Sequence, residues 1–170
     1  MKYQGSCKCG AVKLGVDAEP FLLYNCHCSH CRAFATKYSS RYDLFHTAGA
    51  VWRWNTHIQG NLDYEWTTSL MGLIGLSRGR CSECKEPIVE YGERLVKPFS
   101  MVMCRPLGDL KPTVNLFYNS GHTKGTMGLK TLYSDLGSLL YEIFVICCYG
   151  LPSLPRSIAT YLSNRKAVAF

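Results

Sequence analysis

The stretch Cys26-His27-Cys28-Ser29-His30-Cys31 places three cysteines and two histidines within six consecutive residues. Two further cysteine pairs flank it in the chain, Cys7-Lys8-Cys9 before it and Cys81-Ser82-Glu83-Cys84 after it. Cysteines spaced by one or two residues are typical zinc ligands, because one short turn can aim two sulfur atoms at the same ion. This pattern decides how the rest of the sequence is interpreted.

Four of these cysteines match a closed structural zinc site. Tetrahedral zinc takes four ligands in such a site, and a C-x-C pair together with a C-x-x-C pair supplies four sulfur atoms without distorting the backbone. The predicted ligands of the structural zinc are Cys7, Cys9, Cys81 and Cys84. The alternative is a set of buried free thiols, but two close pairs in a chain without a secretion signal favour the metal.

The remaining three cysteines predict a second zinc site of a different kind. Cys26, Cys28 and Cys31 supply three thiolates and leave one position of a tetrahedral ion for water or substrate. An open position of this kind is typical of catalytic zinc, which stabilises the charge that develops on a substrate atom. The alternative is a second structural site that His27, His30 or another residue completes.

Other residues near the triad are candidates for smaller roles. Ser29 is in N-cap position for a single helical turn, in which backbone N–H groups would favour a thiolate at Cys31. Arg32 follows the triad and is a candidate for binding an anionic substrate group, although an ordinary surface arginine is the simpler interpretation. His122 is a candidate general base or fourth zinc ligand, although a solvated loop histidine is the favoured interpretation. Three cysteines outside the clusters are interpreted as small buried hydrophobes: Cys104, Cys147 and Cys148.

Composition limits the remaining classes of function. The chain has 170 residues, of which 47% are hydrophobic and 18% charged, so we expect one folded domain. Its net charge of +7 is spread without a dense basic run, so we expect no nucleic-acid partner. Residues 1–7 lack the apolar core of a secretion signal, so we expect a cytoplasmic location with reduced thiols. The longest apolar run is too short to span a bilayer, so we also expect no membrane partner.

The hydrophobic pattern predicts a mainly β domain through Asn119. Alternation of apolar and polar residues, and short β-branched or aromatic runs between Gly, Pro and Asn, are typical of short strands joined by turns. The predicted strands lie at 11–16, 51–54, 62–66, 88–91, 100–104 and 113–118. The aromatic side chains of Trp52, Trp54, Tyr64 and Trp66 are expected in the core or on a sheet face.

The segment from residue 121 onward differs in character and predicts a C-terminal apolar extension. Glycines punctuate residues 121–137, and the run Leu139–Leu151 carries one charged residue among apolar ones. Its periodicity does not distinguish a buried helix from a buried strand. Because such a run must be covered, we expect it either to pack on the β core beside the second zinc or to form a homodimer interface, and we favour the dimer.

The order of the three cysteine motifs resembles the glutathione-dependent formaldehyde-activating enzyme family, also called the GFA or centromere protein V-like family. The resemblance rests on Gly5–Val12, Cys26–Arg32 and Cys81–Cys84 and covers residues 1–120, with 121–170 as an extension. It implies an Mss4-like β fold of short antiparallel strands, a structural zinc on the group of four and a catalytic zinc on the triad. Lys85 departs from the family pattern, in which many members have Gly at the left-handed position of this turn.

The resemblance also implies an activity. A member of this family is expected to be a carbon–sulfur lyase-like zinc enzyme that condenses glutathione with formaldehyde to S-(hydroxymethyl)glutathione. The unusual C-terminal third keeps a second hypothesis open, in which the same zinc site catalyses a dehydration, elimination or cyclisation of another small molecule in specialised metabolism. A third hypothesis is a non-catalytic, zinc-stabilised binding module, since a fold alone does not prove catalysis.

Overall fold

The computed structural model describes residues 1–38, 46–69, 74–94, 96–108, 110–116, 130–131, 140–141 and 143–167. Eleven strands lie within these ranges, and all of them are short, as the turn-rich sequence predicts. They are β1 (Tyr3–Ser6), β2 (Lys13–Val16), β3 (Leu22–Cys26), β4 (His46–Trp52), β5 (Thr56–Gln59), β6 (Leu62–Ser69), β7 (Ile74–Cys81), β8 (Pro87–Arg94), β9 (Phe99–Met103), β10 (Val114–Leu116) and β11 (Lys130–Thr131).

The strands form two sheets, which confirms the predicted mainly β fold. The smaller sheet has the order β1-β2-β5, and the larger has the order β11-β10-β3-β4-β9-β8-β7-β6. Most neighbours are antiparallel, as expected, but β10 runs parallel to both β3 and β11. The expectation of antiparallel strands is therefore wrong at this edge, because β10 enters the sheet beside β3 after a long excursion through β4 to β9.

The observed strands match the predicted ranges closely, but several strands end at a different residue. The strand predicted at 51–54 ends at Trp52, and Arg53–Asn55 form a 3₁₀ turn. Cys104 is not the last residue of β9 but the first of a short helix, α2 (Cys104–Leu107). The strand predicted at 113–118 is shorter, since β10 covers Val114–Leu116 and residues 117–120 lie outside the described residues.

Helices follow β3 and form the C-terminal part of the described chain. The predicted single turn at Ser29 is a helix of ten residues, α1 (Ser29–Tyr38), that follows β3. The end of the apolar run is also helical: residues 143–145 lead into a π-helical segment, Ile146–Gly150, and then into α3 (Leu151–Ala167). Of the predicted Leu139–Leu151 run, the described part is therefore helix and not strand.

The core consists of two hydrophobic clusters, and each contains one of the cysteine groups. The first surrounds Cys7 and Cys81 with buried aliphatic side chains of β2, β4, β8 and β9. The second contains Cys26 and Cys31 together with side chains of β3, β4 and β10, and Val145 from the C-terminal helical segment. Among the described residues of the apolar extension, Tyr141 and Val145 thus belong to the same hydrophobic cluster as the triad, and the choice between packing on the domain and a dimer interface stays a prediction.

Polar contacts fasten α3 to the domain. The Trp52 indole donates a hydrogen bond to the Ser153 hydroxyl at 3.0 Å, and the Trp54 indole donates one to the Ser157 hydroxyl at 2.7 Å. The Asn55 side-chain amide also donates to Ser157, at 2.6 Å. The small polar residues of α3 therefore face the domain, whereas large apolar residues of the same helix are exposed: Leu151, Ile158 and Leu162.

The exposure of the C-terminal helical segment corrects the expectation that its two cysteines are buried. Cys147 and Cys148 are exposed and not buried, because the segment that carries them packs only one side against the domain, whereas Cys104 is buried as expected.

Within the described residues, the helical stretch Ile143–Thr160 is long and apolar enough to span a membrane by length and composition alone. The expectation that the longest apolar run is too short to span a bilayer is therefore wrong on length, because the helix continues the run as far as Thr160. The absence of a membrane partner stays a prediction.

Candidate metal centres

Four sulfur atoms converge at the turn between β1 and β2. The Sγ atom of Cys7 lies 3.4 Å from that of Cys9 and 3.6 Å from that of Cys81, and Cys9 and Cys81 are 3.7 Å apart. The Cys84 thiol completes the group, and all four sulfur atoms lie within 4.8 Å of one another. Tetrahedral zinc with bonds of about 2.3 Å would place its sulfur ligands about 3.8 Å apart, so this donor set fits the ion.

The two turns that carry these thiols have the same construction. The first is closed by hydrogen bonds from the Cys7 N–H to the Val12 carbonyl at 2.9 Å and from the Gly10 N–H to the Cys7 carbonyl at 3.0 Å. Gly10 follows the second cysteine and has a left-handed φ of 79°. Each turn therefore needs a left-handed residue directly after its second cysteine.

Lys85 fills the left-handed position in the second turn, with φ 59°. Its N–H donates to the Cys81 carbonyl at 3.0 Å, as Gly10 does to Cys7 in the first turn. The side chain contributes compensating contacts, since Nζ lies 2.8 Å from the Asp63 carboxylate and 2.7 Å from the Ser82 carbonyl. Lys85, where the resemblance implies glycine, therefore keeps the same turn.

Buried Glu86 joins the two turns. One carboxylate oxygen accepts a hydrogen bond from the Lys8 N–H at 2.5 Å, and the other lies 3.1 Å from the Arg105 guanidinium of α2. The Cys81 N–H donates to the Glu86 carbonyl at 2.9 Å. Glu86 therefore ties the turn that carries Cys7 and Cys9 to the turn that carries Cys81 and Cys84.

The second group forms where β3 ends and α1 begins. Cys26 is the last residue of β3, and Cys28 and Cys31 flank the start of the helix. The Sγ atoms of Cys26 and Cys28 are 3.4 Å apart, and the three thiols lie within 4.8 Å of one another. Cys26 and Cys31 are buried and Cys28 is partly exposed, so the group can be reached from one side.

The electrostatics of the triad favour a single thiolate, and they place it at Cys28 and not at Cys31, where the sequence predicts it. Although the hydrogen bond with Cys26 lowers the pKa of Cys31, the hydrogen bond with Cys28, burial and the charge of Glu90 raise it overall. Hydrogen bonds from the thiols of Cys26 and Cys31 lower the pKa of Cys28 to about 2, and the backbone N–H of Cys31 and the charge of Arg78 act in the same direction. The hydrogen bonds to Cys28 and Cys31, together with burial, raise the pKa of Cys26.

Outside both groups, burial alone raises the pKa of Cys104 to about 12, which keeps that thiol protonated.

Neither histidine of the motif joins the triad among the described residues. His27 is fully buried, and its Nε2 lies 3.3 Å from the Asn115 side-chain oxygen, within a polar network that also contains Asn25. Burial lowers the pKa of His27, which favours the neutral ring. His30 is exposed, and the described part of the chain provides three ligand atoms at this point, all of them sulfur. His122, the other candidate fourth ligand, lies outside the described residues.

Arg32 lies on α1 directly after the triad and is half-buried. Its N–H donates to the Cys28 carbonyl at 3.0 Å, which fixes the residue to the same turn. The guanidinium Nε is buried and has no hydrogen-bond partner in the described part of the chain. The residue as a whole is partly exposed, so its guanidinium stays a candidate for binding an anionic group from outside.

Sequence reasoning missed one charged residue at the triad. The Arg78 Nη2 donates to the Cys31 sulfur at 3.4 Å, although the sequence predicts no role for this arginine. One signal was available: Glu90 places a carboxylate inside the short apolar strand at 88–91, and a charge at such a position needs a buried partner. The partner is Arg78, whose Nε lies 2.8 Å from the Glu90 carboxylate.

Comparisons with known proteins give one family match. A family model described as "Glutathione-dependent formaldehyde-activating enzyme" matches residues 2–120, a segment that contains both thiol groups. No curated protein matches the chain. Among solved structures, the crystal structure of a protein from Rhodobacter sphaeroides is 19% identical, covers 64% of this chain and 91% of its own, and has a TM-score of 0.46.

Proposed function

Because the chain belongs to the glutathione-dependent formaldehyde-activating enzyme family, we propose that it is a zinc enzyme of the carbon–sulfur lyase type that condenses glutathione with formaldehyde. The observation that carries this proposal is the separate three-thiol group, with two buried sulfur atoms and a partly exposed third. A closed site has no room for a substrate, whereas three thiolates leave one position of a tetrahedral ion accessible.

The proposed reaction is an addition that needs no further reactant. The glutathione sulfur forms a bond to the formaldehyde carbon, the π electrons of the carbonyl move to its oxygen, and the thiol proton ends on that oxygen. Zinc held by Cys26, Cys28 and Cys31 would supply Lewis-acid stabilisation of the charge that develops. The product is S-(hydroxymethyl)glutathione, and all atoms of both reactants are retained.

The protein's own residues have two proposed roles. The three thiolates of the triad hold the metal, and the guanidinium of Arg32, which is partly exposed directly after the triad, binds a carboxylate of glutathione. The net charge of +7 favours the approach of an anionic tripeptide without selecting it. A cytoplasmic location fits this proposal, because thiols must stay reduced to bind metal and glutathione is abundant there.

The experiment measures the rate of adduct formation by NMR with glutathione and labelled formaldehyde. We expect the wild-type chain to exceed the uncatalysed rate and Cys28→Ser to fall to it. Cys147→Ser is the matched control, because Cys147 is exposed and belongs to neither thiol group. A wild-type rate equal to the background would contradict the formaldehyde reaction, and equal rates for wild type and Cys28→Ser would contradict the role of the triad.

A second candidate keeps the same zinc site but changes the small molecule. It is favoured by the packing of Tyr141 and Val145 in the hydrophobic cluster of Cys26 and Cys31, since both residues lie outside the family match at 2–120. These side chains therefore extend the apolar surroundings of the triad with residues that the family match does not include. Calorimetric titration separates the candidates: heat of glutathione binding supports the first, and its absence in zinc-loaded protein supports the second.

A further inference from the structure

A buried ion pair lies next to the triad and is not used by the proposed reaction. Arg78 of β7 and Glu90 of β8 stand directly opposite each other in the sheet, with the arginine Nε 2.8 Å from the carboxylate. Only 2% of Arg78 and 1% of Glu90 is exposed. Burying two charges carries a large desolvation cost before their attraction is counted, so such a pair is weak evidence for stability alone.

The same guanidinium reaches the segment that carries the triad. Nη2 donates to the Cys31 sulfur at 3.4 Å, and Nη1 donates to the His30 carbonyl at 2.9 Å. The guanidinium carbon also lies 5.1 Å from the centre of the Phe34 ring, one turn further along α1. Arg78 thus contacts a thiol, the backbone and an aromatic ring of one helix while Glu90 fixes its other side.

We propose that Arg78, held in place by Glu90, is a positioning residue for the triad metal site. Its hydrogen bond orients the Cys31 sulfur toward the other two thiols and draws electron density from it, which weakens electron donation from sulfur to a bound metal. Groups that hydrogen-bond to metal ligands orient those ligands and tune the metal in this way. The inference rests on the proposed metal site at Cys26, Cys28 and Cys31.

A purely structural role is the competing interpretation. The contacts with Glu90, the His30 carbonyl and Phe34 tie β7 and β8 to α1 without involving the sulfur. A structural tie predicts that variants lose stability, whereas a positioning role predicts a change in the electronic environment of the metal. Spectroscopy of a bound cobalt ion separates the two, because sulfur-to-cobalt charge transfer responds to hydrogen bonds on the sulfur.

The experiment uses the full chain reconstituted with Co²⁺. The near-ultraviolet charge-transfer band of the triad is isolated by subtracting the spectrum of Cys28→Ser, which retains the four-thiol group. The variants are Arg78→Lys, which keeps the charge, and Arg78→Gln combined with Glu90→Gln, which removes both buried charges together. Arg80→Gln is the matched control, because Arg80 lies two residues away on the same strand and donates to the Tyr38 hydroxyl at 2.9 Å.

We expect the band to move to longer wavelength in both Arg78 variants and to stay unchanged in Arg80→Gln. We also expect cobalt at the triad to bind about 10–100-fold more weakly, as is usual when a partner of a metal ligand is removed. An unchanged band in the Arg78 variants would overturn the inference, whatever the affinity. A wild-type chain without a triad band would contradict the proposed metal site, and the inference would fall with it.

Discussion

The sulfur atoms of Cys7 and Cys81 lie 3.6 Å apart although the two residues are 74 positions apart in the chain. Each sits in a short turn, and the turns join the small sheet to the strands β7 and β8 of the large one. A metal ion bound here would connect distant parts of the sequence, so we expect the group of four to act as a folding element.

Removing one ligand of the four-thiol group is expected to unfold the domain. Cys81 is completely buried, and structural zinc sites contribute much of the folding free energy of small domains. We expect Cys81→Ser to lose several kcal/mol of the free energy of unfolding, measured by denaturant titration, whereas Cys28→Ser stays folded. Equal losses in the two variants would contradict the division into a structural group and an open group.

Replacing Lys85 by glycine is expected to stabilise the second turn. A left-handed backbone costs a residue with a side chain about 1–2 kcal/mol, and glycine adopts it without that strain. The ion pair between Lys85 and Asp63 is exposed and contributes little stability. We therefore expect Lys85→Gly to raise the free energy of unfolding, measured by thermal denaturation, by about 0.5–1 kcal/mol. A lower melting temperature would show that the lysine contacts outweigh the backbone strain.

The thiol groups and the left-handed turns were the features most open to prediction from sequence. Short cysteine spacing encodes them locally, and the family pattern supplies how the two distant pairs combine. The contact between Arg78 and Cys31 was not predictable, because it depends on the register of β7 against β8 and on where α1 lies over them. The exposure of Cys147 and Cys148 escaped prediction for a related reason, since an apolar run does not reveal which of its sides is covered.

Arg32 is expected to act on substrate binding more than on turnover. A hydrogen bond to a charged group is worth about 1.5–3 kcal/mol, which corresponds to about a 10–150-fold change in affinity. Arg32→Gln should therefore raise KM for glutathione by at least about tenfold while kcat changes less. The control is Arg156→Gln on the far end of the chain, where the arginine is exposed. An unchanged KM in Arg32→Gln would remove the residue from the substrate site.

The exposed side of α3 is expected to form a homodimer interface. Leu151, Ile158 and Leu162 are each about half exposed, and with Pro155 they follow the alternating three- and four-residue spacing of a helix–helix seam. We expect the wild-type chain to be dimeric by light scattering and Ile158→Asp to be monomeric with its zinc content unchanged. Arg156→Glu is the control on the same helix, and a monomeric wild type would contradict the interface.

We expect the chain to bind two metal ions at sites of different kinds, one closed by four thiols and one formed by the triad. Elemental analysis of freshly purified, reduced protein tests it most directly, with a weak chelator added to compare how readily each ion is removed. We expect two zinc ions per chain, of which the chelator removes one first, and one zinc ion in Cys28→Ser. A single zinc ion or none in the wild-type chain, or two in Cys28→Ser, would contradict it.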